Sequence, residues 1–518
     1  MFHKADWDQL HQHGIEKEWV ETQLEIFRSG VHYIHLLRPC TLEDGIRTIQ
    51  PEEEEALIHA YNDVADEGRL LKFVPASGAA TRMFRDLIQL YAEGPDLMLS
   101  QLEDRARSHD NTAQYALRFF RSLPKFAFYP ELRRTMAKAD LDLADLLENG
   151  HVGIILEYIL GDKGFGFAGL PKGLIPFHLV GNRAYTPFEE QLLEAIELVS
   201  DRDGVVRVHF TIHPDYRDRI EAHLQQFVDG LQEEDFDVKV DYSEQKPSTD
   251  TLAVTPDNEP FRQEDGTLLL RPGGHGALIE NLNDLDADIL LIKNIDNIVT
   301  HTQAQEEHHR KKLLVGLLAR LQDKVFSYLR ELDQGAVEAD RVHEMRVFVE
   351  HDLNRSVPEA WDGWDIEERL TWLKDRLHRP LRVCGMVATS GEPGGGPFWV
   401  DDKEGESVQI VESSQINLED DEQQTIFRRS NFFNPVDLVC GLKDHNGESF
   451  DLHRFVDSST TFIAEKSHQG RPLKALELPG LWNGAMAGWN SVFVEMPSFT
   501  FNPVKTVIDL LRDEHRPQ

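Results

Sequence analysis

Apolar positions recur at helical spacing through the first seventy residues, in WVETQLEIFRSGVHYIHLL and again in EEEALIHAYNDVA. That periodicity predicts a polar, helical N-terminal region. Pro51 and the glutamates Glu52 to Glu55 give the second stretch an acidic first turn. His32 and His35 stand three apart on the first, a spacing shared by metal ligands and by the more ordinary half-buried helix pair. The pattern then changes. Leu71, Phe73 and Val74 lead into Ala76, Ser77, Gly78, Ala79 and Ala80, followed by Thr81 and Arg82. This reads as a buried strand, a tight small-residue loop and the start of a helix.

Residues 83–150 read as several helices, among them MFRDLIQLYAEG, NTAQYALRFFRSL and ELRRTMAKADLDLADLLENG, whereas HVGIILEYIL (151–160) fits helix and strand alike. Its glycines make GDKGFGFAGLPKGLIPFH (161–178) a mobile loop that carries Lys172. VVRVHFTI (205–212), the amphipathic HPDYRDRIEAHLQQFVDGL and FDVKVDY (236–242) follow as strand, helix and strand, the spacing of a parallel α/β unit. SEQKPSTDT (243–251) is then a loop where ligands gather, at the carboxyl end of a parallel strand. RPGGHG (271–276) is a second glycine-rich turn, and DILLIKNID (288–296) a continuous apolar strand. A long amphipathic helix spans 301–334 with Leu313, Leu314, Leu317, Leu321 and Phe326 on its stripe, and EEHHRKK within it reads as a solvated, charged face holding His308 and His309. Helix continues through WDIEERLTWLKDRL; LRVCGMVA (381–388) is strand, GEPGGGPF (391–398) a flexible loop, and the chain ends as strand, loop and helix. No internal repeat is visible. The division expected is a helical region over 1–70, a core over 71–300 with a helical insertion at about 86–160, a helical insertion over 301–380, and the remainder over 381–518.

Composition narrows the picture. A chain of 518 residues has room for two or three domains, and 40% hydrophobic content without low-complexity tracts suits a folded, soluble protein. No apolar run reaches the ~20 residues that span a bilayer, and the polar start MFHKADWDQL is unlike a secretory signal. Cys40, Cys384 and Cys440 are odd in number and far apart; they suggest reduced thiols in a cytoplasm and no zinc site. With 54 basic against 91 acidic residues the net charge is -37, which argues against nucleic acid or anionic membrane as a general partner. A phosphate ligand would then depend on a few local cations.

The small-residue loop is the first candidate for such a place. Minimal side chains at 76–80 let backbone N–H groups approach an anion, a helix start adds its dipole, and Arg82 offers a planar fork for phosphate oxygens; packing beneath a helix, or an Arg82–Asp86 pair at i+4, is the plain alternative. Asp296 closes an apolar strand, where a charge is costly without a metal or a partner. Lys172 in PKGL (171–174), Gln245, Lys246 and Thr249 after a strand, and His275 in PGGHG are each either ligand contacts or ordinary turn residues.

Taken in order, the Ser77–Arg82 loop, PKGL, PGGHG (272–276) and KNIDN (293–297) resemble the sugar-nucleotide pyrophosphorylases, closest to their UTP–sugar-1-phosphate uridylyltransferase branch. That branch carries L-x-G-G-x-G-T-R, P-K-G or P-K-S, P-x-G-x-G and N-x-D-N, and its late P-V-K-T-x-x-D-L-L is similar to FNPVKTVIDLL (501–511). The resemblance covers about 71–82, 165–300 and 490–511. It implies a Rossmann-like, glycosyltransferase A-type nucleotidyltransferase fold, with a mixed, mostly parallel sheet flanked by helices. It also implies that NTP, with UTP first, and a sugar 1-phosphate give NDP-sugar and pyrophosphate. Carried over by position, Ala76, Ser77, Gly78, Ala79, Ala80 and Thr81 would cradle the phosphates, with Gln245, Gly273, Gly274 and His275 at base or sugar. Arg82, Lys172 and Lys505 would neutralise phosphate charge, and Asp296 would hold Mg²⁺. Beside these, Asp437 in FFNPVDLV is either a second metal ligand or a turn residue, Glu495 in VFVEMP either a sugar contact or a strand-end charge facing water, and Asn490 a candidate sugar contact. Phosphoryl-type transfer needs positioning and charge neutralisation more than a protein nucleophile, which suits this set.

Two departures stand out. Ser77 and Ala80 replace loop glycines, and ninety positions separate Arg82 from Lys172 where the family keeps them closer. A nucleotide-binding regulator without turnover and a glycosyltransferase consuming an NDP-sugar are the alternatives. N-I-D-N is not the D-x-D typical of the latter, and no P-loop motif is present.

Overall fold

The computed structural model describes residues 2–231, 236–335, 337–389, 394–402 and 405–516. The architecture is mixed α/β, with a mostly parallel central sheet flanked by helices. Contacts gather the chain into two compact units, each assembled from separated segments. The first is Met1–Leu71, Ser243–Ile292 and Lys312–Pro497; the second is Lys72–Tyr242, Lys293–Lys311 and Ser498–Gln518.

In the first unit the strand Leu381–Ala388 runs parallel to Asn490–Glu495 and antiparallel to Asp437–Gly441. Their near-unbroken apolar sequences fit strands buried on both faces. A second, four-stranded sheet holds Phe462–His468, Arg471–Glu477, Thr251–Val254 and Leu270–Arg271. The helices Lys4–Gln12 and Lys17–Ser29 close over it, packing Leu10, Val20 and Phe27 against Leu252, Val254 and Leu476. The helix His301–Gln334 meets Pro51–Asp66 so closely that a Cβ on Gly316 would lie 1.9 Å from the Leu57 carbonyl oxygen, so only glycine fits there.

The second unit contains the parallel register that runs from Lys72 opposite Val208 to Pro75 opposite Thr211. Beside the strand Val205–Ile212 lies the helix Pro187–Val199, whose start is fixed by a Thr186–Glu189 capping box and Pro187 at its first position. Phe188 meets Phe210 edge-on at 5.1 Å. Six helices between Arg85 and Leu160 follow the small-residue loop.

Several sequence expectations change, and one left open, the 151–160 stretch, is settled. The first long helix stops at Ser29, so His32 and His35 lie on an extended segment that enters the strand Leu36–Pro39, not on a helix. Residues 152–160 are helix. The 161–178 stretch is pinned, not mobile: Phe165 and Phe167 stack on each other and meet Phe128, while Phe84 stacks on Phe167. Of GEPGGGPF, 391–393 lie outside the described residues, and Gly396 to Phe398 belong to the strand Gly396–Asp402.

A further change concerns charge. The EEHHRKK segment is not a solvated face: Glu307 and Lys311 are buried. They meet Lys293 at the end of one strand, Lys72 inside another, and Glu194 on the Pro187–Val199 helix. Lys293 Nζ lies 2.7 Å from Glu194 and 2.8 Å from Glu307; Lys311 Nζ lies 2.7 Å from Glu194 and 2.9 Å from Glu307. Lys72 Nζ donates to the Gln191 carbonyl at 2.8 Å and stands 3.4 Å from Glu194. Burial pulls the Lys72 ammonium down to about 7. Burial alone would raise the Glu194 carboxyl, but Lys293, Lys311 and Lys72 hold it well below the ordinary range. Burial also lowers His308. Removing a partner from such a cluster strands the remaining charges. Glu194→Ala is therefore expected to destabilise the chain by about 3–5 kcal/mol in urea unfolding; a loss below about 1 kcal/mol, the range of exposed pairs, would contradict this account of the core.

Candidate functional site

The strand Leu70–Pro75 delivers its chain into a loop whose residues divide sharply. Ala76 and Ala80 are buried, and their amides donate to Thr211 O at 2.8 Å and Leu170 O at 2.9 Å. They therefore belong to the scaffold, a correction to the expected six-residue cradle. Ser77, Gly78 and Ala79 are exposed, and among the described residues their amides donate to no protein acceptor. A Cβ on Gly78 would meet nothing within 4 Å, so the loop faces open space. The expected helix start is a 3-10 turn, Ala80–Arg82, before a seven-residue helix, Arg85–Tyr91. A helix of two turns has little macrodipole to offer. Arg82 is exposed and makes no ion pair among the described residues; Asp86 instead receives Thr112 Oγ1 at 3.4 Å.

Lys172 comes to this loop through its backbone, its amide donating to Gly78 O at 3.0 Å. Its side chain, 15% exposed, reaches Asp296, 20% exposed, with Nζ 2.7 Å from Oδ2, and donates to Val504 O at 2.6 Å. Asp296 and the 502–504 segment are themselves joined. Val504 N donates to Asp296 O at 3.3 Å and Asn502 N to Asn297 Oδ1 at 2.9 Å. Val507 N reaches Met83 O at 3.1 Å, which brings Lys505 and Thr506 back beside Arg82 in the chain path. Lys505 is exposed, and its amide donates to Asp509. Ser77–Arg82, Lys172, Asp296 and Lys505, spread over more than four hundred positions, thus meet within the second unit. Two of the three Lys172 N–H bonds are committed and one remains for a ligand. Asp296 Oδ1 accepts from no protein donor among the described residues.

The other candidates belong to the first unit. Gln245 Nε2 donates to Thr249 Oγ1 at 3.3 Å, Thr249 donates to Lys246 O at 2.6 Å, and Lys246 pairs with Asp284 at 2.7 Å, so these polar groups satisfy one another in a turn. Gly273 and Gly276 let their turn approach backbone: added Cβ atoms would fall 2.6 Å from Thr249 O and 2.2 Å from Pro479 O. Gly274, at φ +81°, needs the left-handed conformation. His275 Nδ1 accepts from Leu481 N at 3.1 Å, and its ring stacks on Trp482 at 4.3 Å. Burial lowers this imidazole to about 4 against the ordinary 6.5. Asp437 is buried at the start of the Asp437–Gly441 strand. Glu495, at its strand end, accepts from Thr48 Oγ1 at 2.9 Å. Asn490 is a correction: it is fully buried, and its amide is spent on Arg355 at 3.1 Å and on Arg376 O at 2.9 Å, so it faces no ligand.

The description "Domain of unknown function (DUF4301)" matches residues 3–516. The chain belongs to the DUF4301 family. No curated protein matches this DUF4301 chain in sequence. Among solved structures it is similar to the uridine diphosphate N-acetylglucosamine pyrophosphorylase of Trypanosoma brucei at 12% identity, covering 95% of this chain and 74% of that one with a TM-score of 0.46. It is also similar to the UDP-glucose pyrophosphorylase of Leishmania major at 13% identity, with 99% and 80% covered and a TM-score of 0.44. A UDP-glucose phosphorylase of Trypanosoma brucei stands at 13%, 99% and 80%, with a TM-score of 0.43. No described helix of the DUF4301 chain is long and apolar enough to cross a membrane.

Sequence reasoning missed the Val504 carbonyl and the Asn297–Asn502 clamp, which carry no side-chain signature beyond a common asparagine. It also missed the buried lysines, although Lys72 in LLKFVP and Lys293 in ILLIK are visible charges inside apolar strands. The His275 environment gives a pH prediction. Its folded form stays neutral between 6.5 and about 4 while the unfolded chain takes up a proton, so this group's contribution to stability is lost as pH falls through that window. His275→Gln is expected to flatten the acid limb of a urea-midpoint profile between pH 7 and pH 5. Parallel profiles for the two proteins would contradict a buried neutral imidazole.

Proposed function

We propose that this protein is a nucleotidyltransferase that joins an NTP, UTP first, to a sugar 1-phosphate, releasing pyrophosphate. The observation that carries the reading is the meeting of three unpaired amides, Lys172, Asp296, Arg82 and Lys505 in one unit. Each also lies in a stretch that resembles a motif of the sugar-nucleotide pyrophosphorylases. In the proposed step a phosphate oxygen of the sugar 1-phosphate bonds to the α-phosphorus of the nucleotide. The α–β bridging bond breaks and its electron pair leaves with pyrophosphate.

The chain's part is to bind and to spread charge. The Ser77, Gly78 and Ala79 amides would receive the polyphosphate oxygens. Arg82 would take the leaving pyrophosphate in a forked contact, and Lys505 the sugar phosphate. Lys172 would turn its free N–H to the α-phosphate, where negative charge grows in the transition state. Asp296 suits Mg²⁺, which binds through one or two carboxylates and completes its octahedron with phosphate oxygens and water; when bound, the ion would neutralise phosphate charge. Asp296 keeps one carboxylate oxygen for it.

The test is a matrix of NTPs and sugar 1-phosphates with Mg²⁺, read as pyrophosphate release. At least one pair should turn over. Lys172→Ala should then lower kcat by about 10²–10³-fold, the cost of one lost charge-stabilising donor, in protein that circular dichroism shows folded at the assay temperature although its thermal midpoint falls with the lost Asp296 and Val504 bonds, and Asp296→Asn should abolish turnover. Near-normal rates in either variant would refute the site. NTP binding without release in any pair would favour a regulator, and NDP release from an NDP-sugar with an acceptor would favour a glycosyltransferase.

A further inference from the structure

A second cluster of ligating side chains lies in the first unit, independent of the transferase reading. After the strand Asp437–Gly441 the chain reverses in a tight turn, with Gly447 N donating to Asp444 O at 3.0 Å and Gly447 at φ +83°. Asp444 Oδ1 is occupied by the amides of Asn446 at 2.8 Å and Glu448 at 3.0 Å. Its Oδ2 points to His378 Nε2 at 3.3 Å, with the Asn446 amide 3.5 Å away. His445, next in the chain, turns its ring edge-on to His378 at 5.9 Å. One ligating atom each from His378, Asp444 and His445 lies within 4.8 Å of the others.

The proton positions follow from the partners. Only 4% of the His445 side chain is exposed, and its Nε2 lies 2.8 Å from Asp333 Oδ2. Lys374 Nζ, 2.5 Å from Asp333 Oδ1, helps keep that carboxylate ionised. A carboxylate only accepts, so Nε2 carries the hydrogen and the lone pair of neutral imidazole resides on Nδ1. The Asn446 amide, 3.3 Å from the same Nε2, therefore adds no donor there. His445 Nδ1 is buried and has no hydrogen-bond partner. A buried imidazole with one nitrogen held by a carboxylate and the other left without a hydrogen-bond partner matches a metal-binding histidine.

We infer that His378, Asp444 and His445 form a site for a divalent transition-metal ion of the Zn²⁺ or Co²⁺ type, with Asp333 orienting His445 from behind. Two imidazoles and one carboxylate suit such an ion, whereas Mg²⁺ prefers oxygen ligands. Three protein ligands leave positions open. His378 also lines a cavity of about 1020 Å³ whose wall includes Lys374, Arg379, Phe450 and Arg454. Arg454 is exposed and has no ion pair among the described residues. The open positions would go to water. The ligand set holds no cysteine, which is why the cysteine count gave no sign of it.

The test uses the metal alone. With 23 histidines in the chain, total uptake decides nothing, so the readout is the visible d–d absorption of Co²⁺ added to metal-stripped full-length protein. The account expects one saturable band at about one equivalent, displaced by Zn²⁺, lost in His445→Ala and His378→Ala, and retained in Asp296→Asn. Asp333→Asn should keep the band but weaken the affinity by about 10–100-fold, which a purely structural aspartate would not do. His378 is 40% exposed, so its variant decides the matter if His445→Ala fails to fold. No saturable band in the parent, or a band unchanged in His378→Ala, overturns the site. A band lost in Asp296→Asn instead overturns it too and assigns the cobalt to the phosphate-facing carboxylate.

Discussion

One ammonium group fastens distant segments of the second unit together. Lys172 bonds Asp296 and the Val504 carbonyl at once, while its own backbone amide is fixed to Gly78. Segments near positions 78, 172, 296 and 504 are thereby fastened at a point where both partners of the ion pair are mostly shielded from water. Such a pair is worth keeping only where geometry and further hydrogen bonds offset the desolvation of both charges. The Val504 carbonyl supplies one of those bonds, and the Asn297–Asn502 contact holds that carbonyl in range. In the proposed reaction a phosphate arriving at the loop would meet a lysine already aimed, leaving little reorganisation for the reacting state.

Behind that point stands a second layer of charge. Lys72 precedes the loop by a few residues and Lys293 precedes Asp296 by three, and both are buried with Lys311 around Glu194 and Glu307. Gln191 links the layers: its carbonyl accepts from Lys72 and its side chain donates to Asn294 O at 3.0 Å. The three ammoniums face two buried carboxylates, so this layer carries little net charge; in a chain of net charge -37 the exposed Arg82 and Lys505 are the cations left to the proposed phosphate ligand. The far field repels polyanions, and the near field must reverse it.

Much of the fold could be read from period and punctuation. Val205–Ile212, Leu381–Ala388 and the capped helix after Asp365 carry their structure in local pattern. The failures share a cause, tertiary packing that overrides local signals. Glycines at 161–178 suggested motion, yet Phe165 and Phe167 lock that stretch into an aromatic cluster. A charged run at 306–312 suggested solvent, yet partners contributed by distant strands draw Glu307 and Lys311 inside. Arg82, Lys172, Asp296 and Lys505 stand out in the sequence because each sits in a short motif, and of these the fold pairs Lys172 with Asp296. Asn490 was misread because its burial is set by Arg355 and Arg376, far away in sequence.

The claim that the loop and Lys172 form a polyphosphate seat is tested most directly by a crystal structure of the protein with UTP and Mg²⁺. The account predicts phosphate oxygens within hydrogen-bond distance of the Ser77–Ala79 amides and of Lys172 Nζ, with the ion on Asp296. A nucleotide bound away from these groups, with the Lys172–Asp296 pair untouched, would contradict it.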